Sequence, residues 1–150
     1  MKDQDARSIA QDFLDRQGEA TICGDVEATL ACCDIPCTLD SMEGRVVATN
    51  RAQMRAICAA FIDELKAKRL THMVRKCLDA QFRDDDTVCA LYETRYIKDN
   101  SLLSEEPYAG FVILRRKETQ WKIIAMQFAV RGASPANITL RDWIRERSDL

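Results

Sequence analysis

His72 is the only histidine in the chain and the side chain best suited to move a proton near neutral pH. Asp40 is the second candidate. A carboxylate buried in an apolar pocket has a raised pKa and can serve as a base. If the two meet, the carboxylate fixes the imidazole tautomer and favours its protonated form. Abstraction of a proton next to a carbonyl, or loss of water, then becomes accessible. The plainer alternatives are a strand-end histidine bonded to backbone and an exposed aspartate in the turn 40–44. Tyr92, Tyr96, Trp121 and Gln127 can line a cavity carrying few polar groups, which suits a flat apolar ligand. The same aromatic residues also read as ordinary core. Cys23, Cys32, Cys33 and Cys37 lie close together, but the adjacent pair and irregular gaps do not match zinc-knuckle spacing. No metal and no cofactor is expected. There is no glycine-rich phosphate loop and no Gly-x-Ser-x-Gly elbow.

These residues need elements to hold them. Ala6, Ile9, Ala10, Phe13 and Leu14 repeat at helical spacing, and Gly24-Asp25 closes that helix and caps the next, over 26–33. Asp34-Ile35-Pro36 reads as a break, followed by short strands at 37–40 and 45–49. The clearest helix follows, with Met54, Ile57, Cys58, Phe61, Ile62 and Leu65 in one stripe. Phe61 is expected to face the cavity from that stripe, and Asn50 with Gln53 can form a reciprocal cap at its start. Residues 70–82 and 87–98 read as long strands around the turn 83–86. Period-two alternation puts His72, Val74, Lys76, Leu78, Ala80 and Phe82 on one face, and Val88, Ala90, Tyr92, Thr94 and Tyr96 on one face of the next strand. Residues 108–114 and 121–130 form a second long pair. Trp121, Ile123, Ala125 and Ala129 fall on one face of the last strand, and Ile124, Met126, Phe128 and Val130 on the other. A strand apolar on both faces must be covered twice, which predicts a homodimer through the outer sheet face. Residues 99–106 read as a polar loop, and 139–147 as a short helix capped by Thr139 with Asp142.

Helices gathered on one face of an antiparallel sheet make an α+β domain. A long bent sheet wrapped around three N-terminal helices leaves a cone with a mouth. One domain over 1–150 is expected from the length. With 47% apolar and 31% charged residues, the composition is that of an ordinary globular chain. The net charge of −2 gives no pull toward nucleic acid or an anionic membrane. No apolar run approaches about 18 residues, and the N-terminus MKDQDARS is unlike a secretion signal. A cytoplasmic location follows, in which the seven cysteines stay reduced as small buried hydrophobes.

In this order the chain resembles the nuclear transport factor 2-like superfamily, specifically its SnoaL-like branch, which includes ketosteroid isomerases, scytalone dehydratase and polyketide cyclases. The resemblance rests on several features spread over roughly residues 5–131. They are a first helix closing on Cys23-Gly24-Asp25-Val26, Thr38-Leu39-Asp40 followed by Gly44, and the helix 50–68. To these are added Leu70-Thr71-His72-Met73-Val74 opening a long strand, the acidic turn 84–86, and Gln120-Trp121-Lys122-Ile123. It implies a cystatin-like cone with an interior pocket. It also implies that Asp40 occupies the place of the isomerases' catalytic aspartate, and His72 the place of the dehydratase's strand-opening histidine. The isomerases' oxyanion donors fall at Gln17 and Ala109, so both are missing, although the Gln17 amide can still donate. The dehydratase's helix-borne tyrosine and aspartate fall near Thr21 and Ile22 and are not reproduced.

Three readings stand at this point. One is a module binding a small apolar or cyclic molecule. Another is a cofactor-free isomerase or lyase using Asp40 and His72. The third is a non-catalytic dimerisation or partner module. The missing donors favour the first over the second.

Overall fold

The computed structural model describes residues 2–103, 107–129 and 134–148. Helices α1 (Lys2–Ile22) and α2 (Val26–Ala31) precede strands β1 (Cys33–Ser41) and β2 (Gly44–Ala48) and helix α3 (Arg51–Ala67). Strands β3 (Leu70–Asp84), β4 (Thr87–Lys98), β5 (Leu102–Leu103), β6 (Tyr108–Lys117) and β7 (Gln120–Ala129) follow, and helix α4 (Pro135–Ser148) comes last. The fold is α+β. A curved, unclosed sheet runs in the order β2-β1-β7-β6-β4-β3, with the two-residue β5 beside β4. Every pairing is antiparallel except that of β1 with β7.

The helix ends show why the elements start and stop where they do. Gly24 has φ +85°, a left-handed conformation that glycine adopts without cost. Behind it the Asp25 N–H reaches back to the Ala20 carbonyl at 3.0 Å, closing α1 in the manner of a Schellman turn. The Asp25 carboxylate then accepts from the Ala28 N–H at 3.0 Å and caps α2. At α3, Asn50 accepts from the Gln53 N–H at 2.9 Å, but the Gln53 side chain returns to Thr49, one residue before the predicted partner. Helix α4 begins at Pro135, a residue suited to the first helical position, and Ser134 Oγ accepts from the Asn137 N–H. The predicted cap, Thr139, lies inside this helix and donates to the Pro135 carbonyl at 2.7 Å. Residues 34–36 do not break the chain; they belong to β1, with a cis peptide before Pro36.

The register of the sheet shifts at several points, and two of these shifts reset the alternation within the long strands β3 and β7. In β3, Cys77 pairs with Tyr92 and Asp79 with Leu91, so Leu78 is an extra residue. Before it, Met73, Arg75 and Cys77 face the helices; after it, Ala80 and Phe82 do. In β7, Ile123 pairs with Leu114 and Ala125 with Ile113, so Ile124 is extra. Ile123, Met126 and Phe128 therefore all point inward, and Lys122, Ala125, Gln127 and Ala129 fall on the other side. The face assignments made from uninterrupted period-two alternation fail at both strands for this reason.

Helix α1 lies against β3, the open edge of the sheet, and supplies the bonds that a neighbouring strand would have made. Gln11 donates to the Arg75 carbonyl at 2.8 Å and accepts from the Cys77 N–H at 2.7 Å. Arg7 donates to the Leu78 carbonyl at 2.9 Å. The edge next to the bulge is thus closed by side chains. The core between sheet and helices holds Phe13, Leu14, Leu30, Met54, Ile57, Val112, Leu114 and Ile123 in one cluster. Among the described residues, no helix is long and apolar enough to cross a membrane.

Candidate functional site

Between the concave sheet face and helices α1, α3 and α4 lies a cavity of about 70 Å³. That is well below the roughly 300–1,000 Å³ of ordinary ligand pockets. Helix α1 contributes Gln17, α3 contributes Met54, Ile57, Cys58 and Phe61, and α4 contributes Ala136, Thr139 and Leu140. The sheet contributes Tyr92, Thr94 and Tyr96 from β4, Tyr108 from β6, and Met126 and Phe128 from β7. Among the described residues, the wall contains no aspartate, glutamate, histidine or lysine.

One charge stands in this wall. Arg75 points inward from β3 and is 7% exposed. Its Nη2 donates to the Leu14 carbonyl at 2.8 Å and to Gln17 Oε1. The guanidinium lies over the Tyr92 ring, 5.7 Å from its centroid. Its Nε is buried and has no hydrogen-bond partner. Among the described residues, no carboxylate pairs with it.

Four other groups of the wall, Tyr92, Tyr108, Cys58 and Cys33, are pushed further from titration near pH 7. Burial pushes the Tyr92 hydroxyl up, opposed by Arg75 beside it. Burial also raises Tyr108, with Tyr96 adding to the shift, and the two hydroxyls share a bond of 2.9 Å. The Cys58 thiol is raised by its bond to Cys33 and by burial, and Cys33 is raised first by its bond to Cys37. Proton transfer is most efficient when the group's pKa lies near the working pH. None of these groups meets that condition.

Glycine at position 110 makes room for Tyr92. The two residues are cross-strand partners. A Cβ at position 110 would sit 2.4 Å from Tyr92 Cζ, 2.6 Å from its hydroxyl oxygen and 2.8 Å from Cε2. A glycine in a central strand commonly marks such a close approach.

The structure does not bring Asp40 and His72 together. Cys37 and Leu39 line the cavity, so Asp40 lies on the opposite face of β1. Its carboxylate forms a 2.7 Å ion pair with Arg45, its register partner on β2, and bonds to Gln127. The Arg45 guanidinium holds Asp40 below the ordinary carboxylate range. His72 is exposed on the outer face of β3, with Nδ1 3.0 Å from the Thr71 hydroxyl. Strands β7, β6 and β4 separate β1 from β3, so the two lie four strand spacings of about 4.8 Å apart across the sheet. The expected pair is corrected on this point. It rested on placing both side chains inside a mouth that neither faces.

Of the residues expected to line the cavity, Gln17, Phe61, Tyr92 and Tyr96 are in its wall, and Trp121 and Gln127 are not. Trp121 packs on Phe82 near the β3–β4 turn, with ring centroids 6.4 Å apart, and Arg116 lies over it. Gln127 is exposed on the outer face because of the bulge at Ile124. Arg75 was missed. Its only sequence signal is a cation flanked at two-residue spacing by Met73 and Cys77, and that signal emerges only once the bulge is placed.

The sequence pattern of the family described as NTF2-like protein (DUF6841) matches residues 4–130. No curated protein matches the sequence. Among solved structures, a domain of unknown function with a cystatin-like fold from Nostoc punctiforme is similar at a TM-score of 0.66 and 14% identity, covering 95% of this chain and 91% of its own. An NTF2-like protein with a cystatin-like fold from Novosphingobium aromaticivorans is similar at 0.64 and 19%, covering 91% and 90%. A ketosteroid isomerase-like protein from Erwinia carotovora atroseptica is similar at 0.60 and 12%, covering 82% and 94%. At these identities the likeness is one of fold.

Proposed function

The chain belongs to the NTF2-like family, and from that premise we propose that its cone binds a small, largely apolar molecule without transforming it by acid–base chemistry. The observation that carries this reading is the interior cavity itself. Its wall is mostly aliphatic, aromatic and methionine side chains, with a few hydroxyl and amide groups and one cation. Such a wall favours an apolar body held by a small number of polar contacts. Met54, Met73 and Met126 are flexible and can repack around a guest larger than the empty volume. The isomerase or lyase alternative has lost the geometry of its proton-transfer pair, and the wall supplies no replacement with a pKa near neutrality.

Two further features belong to the same proposal. The protein is a homodimer through the outer sheet face, where Val74, Leu78 and Leu91 are 49%, 40% and 41% exposed. Strand β7 does not supply the apolar outer face expected of it, because its outer side carries Lys122 and Gln127. The location is cytoplasmic, which suits seven cysteines that are all free.

The test of binding is NMR on protein carrying ¹³C-methyl methionine, titrated with toluene and with indole. Saturable shifts at Met54, Met73 and Met126, with Met42 unmoved on the surface, are expected. No shift of the three interior methyls at millimolar concentrations of either compound would overturn the reading.

A further inference from the structure

We infer that the molecule the cone takes is a monocarboxylate: a short apolar body bearing one anionic head that Arg75 neutralises. This rests on the binding reading above and narrows it. A charge taken out of water costs several kcal/mol unless it is paired. Buried arginines are accordingly found with carboxylates or other anions. Arg75 is more than nine-tenths buried, and its described partners are all neutral: the Leu14 carbonyl, Gln17 Oε1 and the Tyr92 ring. Among the described residues its Nε–H has no hydrogen-bond partner, and the wall around it contains no acid that could supply the missing charge. Among the described residues, Arg75 is therefore a buried cation with no anionic complement.

The chemistry of the wall selects the class of anion. One guanidinium balances one negative charge. A dianion such as a phosphate monoester would bury a surplus charge in an apolar cavity, which is unfavourable. A planar carboxylate matches the planar donor set of arginine. The neighbouring polar groups, Gln17, Tyr92 and Thr94, are neutral and add contacts without altering the charge balance. The remainder of the wall, including Ile57, Phe61, Met126 and Phe128, meets an apolar body.

The experiment compares matched ligands at pH 7 on the wild-type protein: butyrate against butyramide, and benzoate against benzamide, by calorimetry and by the methionine methyl shifts. Each pair has the same shape and differs in charge. A preference for the carboxylate of at least about tenfold is expected, since hydrogen bonds between charged partners are worth roughly 1.5–3 kcal/mol. In Arg75→Met the preference should vanish, and in Arg75→Lys a part of it should survive. Equal affinity for acid and amide in the wild-type protein would overturn this inference. The same holds if toluene or indole binds and the carboxylates do not, and in both cases the binding reading would stand. Failure of every compound, neutral or charged, to move the interior methyls would remove both. Should Arg75→Met fail to fold, the wild-type comparison decides alone.

Discussion

Replacing Gly110 with alanine should destabilise the protein by driving a methyl group into the Tyr92 ring. The added Cβ would stand 2.4 Å from Tyr92 Cζ, about 1.1 Å inside the roughly 3.5 Å at which carbon atoms make favourable contact. The ring cannot swing into solvent, since Tyr92 is fully buried and Arg75 lies against its face. Either the ring shifts by about an ångström or β6 and β4 part locally. Overpacking of this kind costs about 1–3 kcal/mol. Against it stands a gain of about 0.4–1 kcal/mol from restricting the unfolded chain, so the net loss should be about 1–2 kcal/mol. For a chain of this length that is a fall in Tm of roughly 2–8 °C, read by thermal unfolding with chemical denaturation as a check. The decisive measurement is a double-mutant cycle with Tyr92→Leu, which removes every atom of the clash. In that background Gly110→Ala should be neutral or mildly stabilising, giving a coupling of about 1 kcal/mol or more. Strictly additive effects, or a single Gly110→Ala protein as stable as wild type, would refute the close-approach account.

The remaining expectations concern the edge, the outer face and the thiols. Gln11→Leu strips the β3 edge of two bonds and should cost about 1–3 kcal/mol, with faster hydrogen exchange at the Cys77 amide; unchanged exchange there counts against the edge-capping role. Asp40 has its pKa lowered by Arg45, so its stabilising contribution is present above the unfolded carboxylate range and is lost as pH falls through the lower folded value. Asp40→Asn should therefore flatten stability below about pH 4; a variant with the wild-type pH dependence would mean that the ion pair with Arg45 contributes nothing. Sedimentation equilibrium at micromolar concentration should give twice the 17.1 kDa chain mass, and Leu91→Lys should shift it toward one chain. Iodoacetamide should modify the exposed Cys23 first and leave the buried, raised-pKa Cys33 and Cys58 intact in the folded protein. Equal rates at all three would contradict the packing described.

How much of this was legible beforehand depended on how far a simple period runs undisturbed. The stripe from Met54 to Leu65 has no interruption, and α3 formed with Met54, Ile57, Cys58, Ile62 and Leu65 buried. Strand β4 alternates cleanly, and Val88, Ala90, Tyr92, Thr94 and Tyr96 all face inward. The long strands flanking it are different. A bulge is a backbone feature set by pairing, by sheet curvature and by the helix lying on the strand, and nothing in the composition of β3 marks Leu78 as the extra residue. Read with one continuous period, β3 puts His72 on the face of the buried Ala80 and the half-buried Phe82. Read with the bulge, it puts Arg75 there instead.

That exchange decides the functional argument. The same shift that carries the histidine out to solvent carries the guanidinium into the cone, above the Tyr92 ring that Gly110 admits. Gln11 bonds the backbone between Arg75 and the bulge, at the Arg75 carbonyl and the Cys77 N–H. The bulge, the helix that closes the edge and the buried cation are therefore one arrangement. Acid–base chemistry needs a group that changes protonation near pH 7, and a guanidinium does not. A permanent positive charge in an apolar enclosure is instead suited to holding a permanent negative one. The role proposed for the interior is accordingly that of a selective receptacle rather than a proton shuttle.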